Sequence, residues 1–329
     1  MNFNIIGLIR AAIINGTPLL FGTSGEILTE KSGNLNLGVE GLMFMGGAFG
    51  LMGAFVYGNA AGDNASGAVA VAIALLCSFG IGCIGSLIFS FLTITLRANQ
   101  NVTGLALTIF GTGVGQFVGE LMRIKVGGNV TISNALKDAF AEPILPEALQ
   151  KIPVIGQILF SYNLFVYLGV VMALVMAWFM KKTRKGLFLS AVGESPATAD
   201  AAGINVTKYR YLATVIGGGI AGLGGLYFVM EYSGGTWTNN GFGDRGWLAV
   251  ALVIFARWRP LNAIWGSLLF GALYILYLYI PGLGRSSQEI FKMLPYVVTI
   301  IVLSLTSLRK KKEDQPPESL GLHYFREER

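Results

Sequence analysis

Residues 68–96 read AVAVAIALLCSFGIGCIGSLIFSFLTITL, and the residue that follows, Arg97, is the first charge after the run. An α-helix rises about 1.5 Å per residue and needs about 20 apolar residues to cross the hydrocarbon core of a bilayer. This run is long enough and contains nothing that would end it short. Cys77 and Cys83, the two cysteines of the chain, both fall inside it. Their spacing fits neither a metal site nor a secreted disulfide framework, and they read as small buried apolar residues. Working outward, similar runs occupy residues 5–24, 35–57, 102–122, 161–180, 209–230, 261–280 and 290–308. One more, 246–256, is too short to span as a regular helix. It requires help from residues 241–245 or a place as a half-helix packed within protein. The predicted fold class is all-α: a polytopic transmembrane helical protein of about nine spans, with broken helices.

Composition agrees. Of 329 residues, 53% are hydrophobic and 13% charged, against about 25% charged in a soluble domain. The 45 glycines suit helices that pack closely in lipid. The net charge of +6 sits in short clusters beside apolar runs, which argues for contact with membrane lipid and against nucleic acid. His323 is the single histidine and lies in the polar C-terminal stretch, so His-based catalytic and metal clusters are ruled out. The N-terminus lacks the basic start of a secretory signal, and its apolar segment reads as a retained span.

Lysine and arginine set the orientation. With nine spans, Arg97, the cluster Lys181, Lys182, Arg184 and Lys185, the pair Lys208 and Arg210, the pair Arg257 and Arg259, and residues 309–312 all fall on one side, the cytoplasm. Residues 57–67 carry no Lys or Arg, and 123–160 mixes both signs; these lie outside. The N-terminus is then external and the C-terminus cytoplasmic. Residues 1–308 form a transmembrane domain, with 123–160 as an external segment, either a docking surface or a connector. Residues 309–329, charged and containing Pro316 and Pro317, read as a loosely ordered polar cytoplasmic tail.

Three segments stand out chemically. Residues 25–41, GEILTEKSGNLNLGVEG, place polar groups between two apolar runs. A solvated loop accounts for Glu26, Glu30 and Lys31. Asn34, Asn36 and Glu40, embedded among Leu35, Leu37 and Val39, fit a broken membrane helix lining a path. Residues 181–211, KKTRKGLFLSAVGESPATADAAGINVTKYRY, contain Ser195-Pro196, a helix-start signal, then 197–202 as helix formers and Gly203 as a stop. A short helix is predicted there, between the fifth and sixth spans. Residues 241–271, GFGDRGWLAVALVIFARWRPLNAIWGSLLFG, carry Asp244 and Arg245 before the short apolar run, and a basic turn at Arg257–Pro260 after it. Phe44, Phe49, Phe110 and Trp247 offer ring faces for stacking, although core or lipid-facing positions account for them as well.

Together these segments are similar to the permease family that serves bacterial simple-sugar, nucleoside and branched-chain amino-acid ABC importers. The matching residues are Glu30 to Gly41, then Ala191-Val192-Gly193-Glu194-Ser195-Pro196 with Ala199-Asp200-Ala201-Ala202-Gly203-Ile204, then Arg245-Gly246-Trp247-Leu248-Ala249 with Trp258-Arg259-Pro260. Within the family the chain most resembles nucleoside-type permeases that work with a basic-membrane-protein-like lipoprotein receptor. The resemblance implies a type II ABC importer-like permease in the bacterial cytoplasmic membrane. It also implies a partner permease, a cytoplasmic ATPase that binds the ATP, and an external substrate-binding lipoprotein. Asn34, Asn36, Glu40, Phe44, Asp244 and Trp247 are the candidate substrate path. Gly193, Glu194, Ser195, Pro196, Ala199, Asp200, Ala201, Ala202 and Gly203 match the coupling helix that sits in a groove of the ATPase.

The chain lacks a G-x-x-x-x-G-K-[ST] sequence; its nearest lookalike, 111–115, has no Lys and lies in an apolar run. It therefore has no ATP site of that kind, and no cofactor or metal of its own is expected. The alternative is an ion-coupled secondary transporter, for which Glu40 and Glu120 are the only acids in or near spans. A membrane enzyme would need a catalytic cluster, and no close carboxylate pair falls within the predicted spans.

Overall fold

The computed structural model describes residues 4–239, 242–280, 282, 284–309 and 315–326. Among these it is built from helices, in the order α1 (Ile5–Glu30), α2 (Val39–Ala61), α3 (Gly67–Ser90), α4 (Gln100–Val126), α5 (Asn134–Ala141), α6 (Glu147–Gln150), α7 (Ile155–Leu159) and α8 (Leu164–Lys182). There follow α9 (Arg184–Glu194), α10 (Pro196–Ala201), α11 (Val206–Tyr227), α12 (Arg245–Ala256), α13 (Pro260–Tyr279), α14 (Arg285–Lys292) and α15 (Leu294–Arg309). Eight helices are long and apolar enough to cross a bilayer, the last formed by α14 and α15 together. The ninth predicted span is α12, whose 12 residues cover about 18 Å, short of the roughly 30 Å hydrocarbon core.

The centre of the bundle is α11, flanked by α1, α2 and α3. Lipid supplies no hydrophobic drive between helices, so small residues that let backbones touch hold such a bundle together. Here Gly25 meets Gly217 between α1 and α11, Gly46 meets Gly222 between α2 and α11, and Gly82 meets Gly218 between α3 and α11. Between α2 and α4 Gly41 meets Gly111, and between α1 and α13 Gly16 meets Ser267. The outer faces present Leu76, Ile109, Phe117 and Trp178, all exposed, to lipid.

Two of the boundaries that differ from the sequence reading bear on the site. Helix α1 does not stop at residue 24 but runs on to Glu30, and α2 starts at Val39 rather than at residue 35. Glu26 and Glu30, one turn apart, are therefore buried in a helix rather than solvated in a loop. They form the close carboxylate pair that shorter predicted spans had hidden. The 123–160 segment folds into α5, α6 and α7 between irregular stretches. It is pinned to the loop before α12 by one antiparallel bridge, Thr131 to Thr236. Ile132 N–H donates to Gly235 O (3.1 Å) and Trp237 N–H to Val130 O (3.0 Å).

Candidate functional site

Residues 31–38 connect α1 to α2 without helical structure, and they do so deep in the bundle. Gly38 abuts Leu107 and Gly41 abuts Gly111, while α4 begins at Gln100. Helix α2 thus starts about 10 Å or more along α4. Irregular backbone at that depth survives only if protein satisfies it. Leu35 N–H donates to Gln100 Oε1 (2.7 Å), Asn36 N–H to Glu26 Oε1 (3.0 Å) and Gly38 N–H to Asn36 Oδ1 (2.8 Å). Leu37 O accepts from Thr108 Oγ1 (2.9 Å). Asn34 Nδ2 reaches Thr214 Oγ1 of α11 (3.1 Å) and Thr93 Oγ1 (3.5 Å). Sequence reading placed Glu26 in a solvated loop because it ended α1 too early, and it missed Gln100 and Thr108, which lie 65 and 71 residues from the groups they satisfy.

The same break organises the short helix α12. At its start, Gly246 N–H donates to Glu40, and the Trp247 N–H also points at that carboxylate. Glu40 is thereby an N-cap supplied from another helix, where a negative charge also meets the favourable end of the helix dipole. Gly246 has no room for a side chain, since a Cβ would strike the Glu40 backbone. At the other end, Arg257 and Trp258 take left-handed backbone angles (φ 55° and 53°), and Trp258 Nε1–H donates to Glu30. Two acids on either side of the break therefore hold both ends of α12.

The extended backbone alternates its side chains. Asn34 and Asn36 turn inward and are fully buried. Asn34 Oδ1, Asn36 Nδ2 and Gln100 Nε2 find no acceptor or donor there. Leu35 and Leu37 turn the other way, into a cavity of about 300 Å³ also lined by Glu30, Val250, Ile254 and Leu320. Phe44, one turn above Glu40, packs edge-on to Trp237 (5.4 Å between centroids) and against Phe242 (4.7 Å). Trp247 is half-buried and Asp244 exposed. Arg245 does not form a surface pair with Asp244. It is buried, stacked over Phe228, Tyr232 and Tyr274 at 4.4–4.7 Å, and donates to Phe242 O (2.8 Å).

Replacing Glu40 with Leu removes the acceptor for the α12 N-terminus. The expected cost is about 1–3 kcal/mol, the penalty for a stranded buried donor, with Glu40→Gln costing less because one acceptor oxygen remains. Thermal unfolding of the two purified variants in detergent measures the difference.

On the α9–α10 side, the predicted helix is α10. Ser195 precedes it, Pro196 occupies its first turn, and Gly203 (φ 83°) follows its end. Ser195 bonds Thr198 Oγ1 (2.8 Å) rather than the backbone. Ala199 packs inward against Val192 and Val206, which leaves Ala201, Ala202, Gly203 and Glu194 on the outer surface. Asp200 is already engaged, accepting from Tyr324 OH (2.6 Å) and pairing with Arg326 (3.4 Å). Its partners belong to the C-terminal tail, which is not loose over residues 315–326. Ser319 donates through N–H (3.0 Å) and Oγ (2.6 Å) to Gly193 O, and Gly321 N–H donates to Gly33 O (3.1 Å). The buried Arg210 donates to Leu322 O (3.0 Å) and Ser319 Oγ (3.4 Å). Residues 310–314 lie outside the described residues. Gly193 packs directly on the Lys31 carbonyl, where a Cβ would strike it. The α9–α10 unit, the tail and the break thus form one connected structure.

The family described as "Branched-chain amino acid transport system / permease component" matches residues 8–303. The chain is 33% identical to TsgC13 of Haloferax volcanii, named as a glucose ABC transporter permease protein, over 92% of both chains. It is 32% identical to the nucleoside ABC transporter permease protein NupC of Lactococcus lactis subsp. cremoris, over 92% of this chain and 94% of that one. The guanosine ABC transporter permease protein NupQ of Bacillus subtilis is 30% identical over 90% of this chain and 91% of its own.

Proposed function

The chain belongs to the branched-chain amino acid transport system permease family and is the membrane-spanning permease subunit of an ATP-binding-cassette importer; on that premise we propose that its cargo is a nucleoside. The observation that carries this reading is the similarity to NupC and NupQ over 90% or more of the chain. Trp247, half-buried at the start of α12, supports it, since an accessible indole face can stack on a nucleobase. The path runs past the break. Asn34, Asn36 and Glu40 hold its shape, Phe44 backs it from the core against Trp237 and Phe242, Trp247 meets the cargo, and Asp244 stands at the entrance. Uptake works with a second, non-identical permease subunit and with a lipoprotein receptor docking on the 123–160 side. The basic ends of the spans face the cytoplasm, with the N-terminus outside.

Energy comes from a separate ATPase, which binds the ATP and engages α10 through Gly193 to Gly203. The contact of Gly193 with Lys31, strapped by Ser319 and Gly321, supports a direct transfer of motion from that helix to the break. Proteoliposomes holding the assembled importer should accumulate labelled guanosine with ATP inside, and excess glucose should not compete. Uptake driven by a proton or sodium gradient without the ATPase would sink this reading. In Ala201→Trp, where the outer face of α10 is enlarged, substrate-stimulated hydrolysis should fall at least tenfold while membrane insertion is unchanged. Stimulation equal to that of the unaltered protein would remove α10 from coupling.

A further inference from the structure

A second cavity, of about 600 Å³, opens beside α10. Three parts of the chain meet there: Arg97, in the turn between α3 and α4; residues 203–208, from the end of α10 into the first turn of α11; and Tyr324 with Arg326 of the tail. The hydroxyls of Thr95 and Tyr211 touch, so the turn that carries Arg97 is held against α11. The charge balance leaves the cavity positive. Asp200 in its wall is taken up by Arg326 (3.4 Å) and by the Tyr324 hydroxyl (2.6 Å). Arg97 and Lys208 are exposed and form no ion pair among the described residues.

Arg97 is nonetheless fixed. Its backbone is left-handed (φ 56°), a region that residues other than glycine rarely adopt. Its guanidinium lies over the Phe325 ring, 4.2 Å from the centroid. That stack occupies the flat face and leaves the N–H groups on the edge, the fork that binds a carboxylate through two bonds. The bias of Lys and Arg toward one end of the spans explains why cations are here. It does not explain why one of them is strained into place on a tail residue.

We propose that the ATPase contact extends past α10 to the α3–α4 turn, where a carboxylate of the ATPase enters this cavity and pairs with Arg97 and Lys208. The proposal rests on the reading that α10 meets the ATPase, and adds to it the position and chemistry of a second anchor. The two surfaces are continuous, since Gly203 lines the cavity and also lies on the outer face of α10. On α10, Ala201 and Ala202 set how closely the partner approaches; the cavity sets the charge that the partner must bring. The anchor also reaches the break from the other side. Arg97 stands three residues before Gln100, whose Oε1 accepts from Leu35 N–H (2.7 Å), and α4 goes on to Thr108, which donates to Leu37 O (2.9 Å). A motor that holds both α10 and Arg97 therefore grips residues 31–38 at two ends.

The test uses the assembled importer in nanodiscs of phosphatidylcholine, where the cations cannot act through an anionic lipid. A water-soluble carbodiimide joins a carboxylate to a lysine amine in contact with it. Mass spectrometry of the digested complex should find Lys208 joined to an Asp or Glu of the ATPase. Arg97→Glu with Lys208→Glu should weaken ATPase association about tenfold at low salt. High salt should weaken the unaltered complex more than this variant, because the variant has lost the screened attraction. Arg97→Lys, which keeps the charge, should hold most of the affinity and give a second cross-link to the same acid. Thermal unfolding verifies that each variant is folded. Lys208 joined only to acids of this chain, or to none, overturns the proposal, as does unchanged ATPase affinity in the double variant. If Ala201→Trp still loses stimulated hydrolysis in that case, the reading of α10 stands and the second anchor alone falls.

Discussion

Gly225→Val should leave almost no folded protein, whereas Gly113→Val should behave as the unaltered chain does. A Cβ at residue 225 lands on the carbonyl of Met43, a backbone atom of α2 that no rotamer change can move. Relief requires α2 and α11 to separate. Helix α11 is also fixed to α1 at Gly217 and to α3 at Gly218, where a Cβ would strike Ser86. Moving it away from α2 therefore drives it into its other neighbours. Overpacking a core costs about 1–3 kcal/mol when side chains can adjust; here the expected cost is above about 3 kcal/mol, enough to remove a marginally stable fold. Nothing lies within 4 Å of a Cβ at Gly113, so lipid accepts the new side chain. Yield after size exclusion in detergent, followed by thermal melts, separates the two. Equal melting of both variants would mean that α11 is not pinned in the way described.

Removing residues 315–329 should lower ATP-driven uptake at least tenfold while all spans still insert. The buried guanidinium of Arg210 would lose its acceptors in the tail, Leu322 O and Ser319 Oγ. Stranding a buried charge costs about 3 kcal/mol or more. The loss falls where α9 and α10 are tied to the break, because Ser319 and Gly321 bond the carbonyls of Gly193 and Gly33. On the proposed coupling through α10, a displaced α10 would still meet an ATPase but would no longer move residues 31–38 with it. Basal hydrolysis by the assembled complex should therefore persist while uptake is lost. Ser319→Ala, which gives up side-chain bonds only, should show a smaller defect of about 1 kcal/mol in stability. Full uptake by the truncated chain would refute the strap.

The spans were legible because hydropathy needs no long-range information. Residues 68–96 announce a crossing whatever surrounds them. The helix at Pro196–Ala201 was legible for the same reason, since its start and stop signals are local. What stayed hidden depended on partners far away in the chain. Glu26 and Glu30 look like a solvated loop until the Asn36 N–H and the Trp258 indole are placed beside them. Arg245 looks like a surface charge until three aromatic rings from two other elements close around it. The tail looks loose because its composition is polar. Its order comes from backbone acceptors at Gly33 and Gly193 and from a buried arginine, none of which is near it in sequence. At the break, Asn34 and Asn36 stood out among leucines in the sequence, but the groups that fix this backbone, Thr214, Thr93 and Gln100, did not, because each is 59 or more residues away.

Helix α12 has a consequence for how the molecule is made. Its acceptors, Glu40 and Glu30, precede their donors Gly246 and Trp258 by 206 and 228 residues. At about 18 Å it is too short to settle in lipid alone, so it has no resting place until α1 and α2 stand together. Ribosomes emit the chain N-terminus first at about 5–20 residues per second, which gives the receiving helices ten seconds or more to assemble. The short helix then enters a finished socket whose two carboxylates set its height and its direction, and biosynthetic order replaces hydrophobic length as the reason it stays in the membrane.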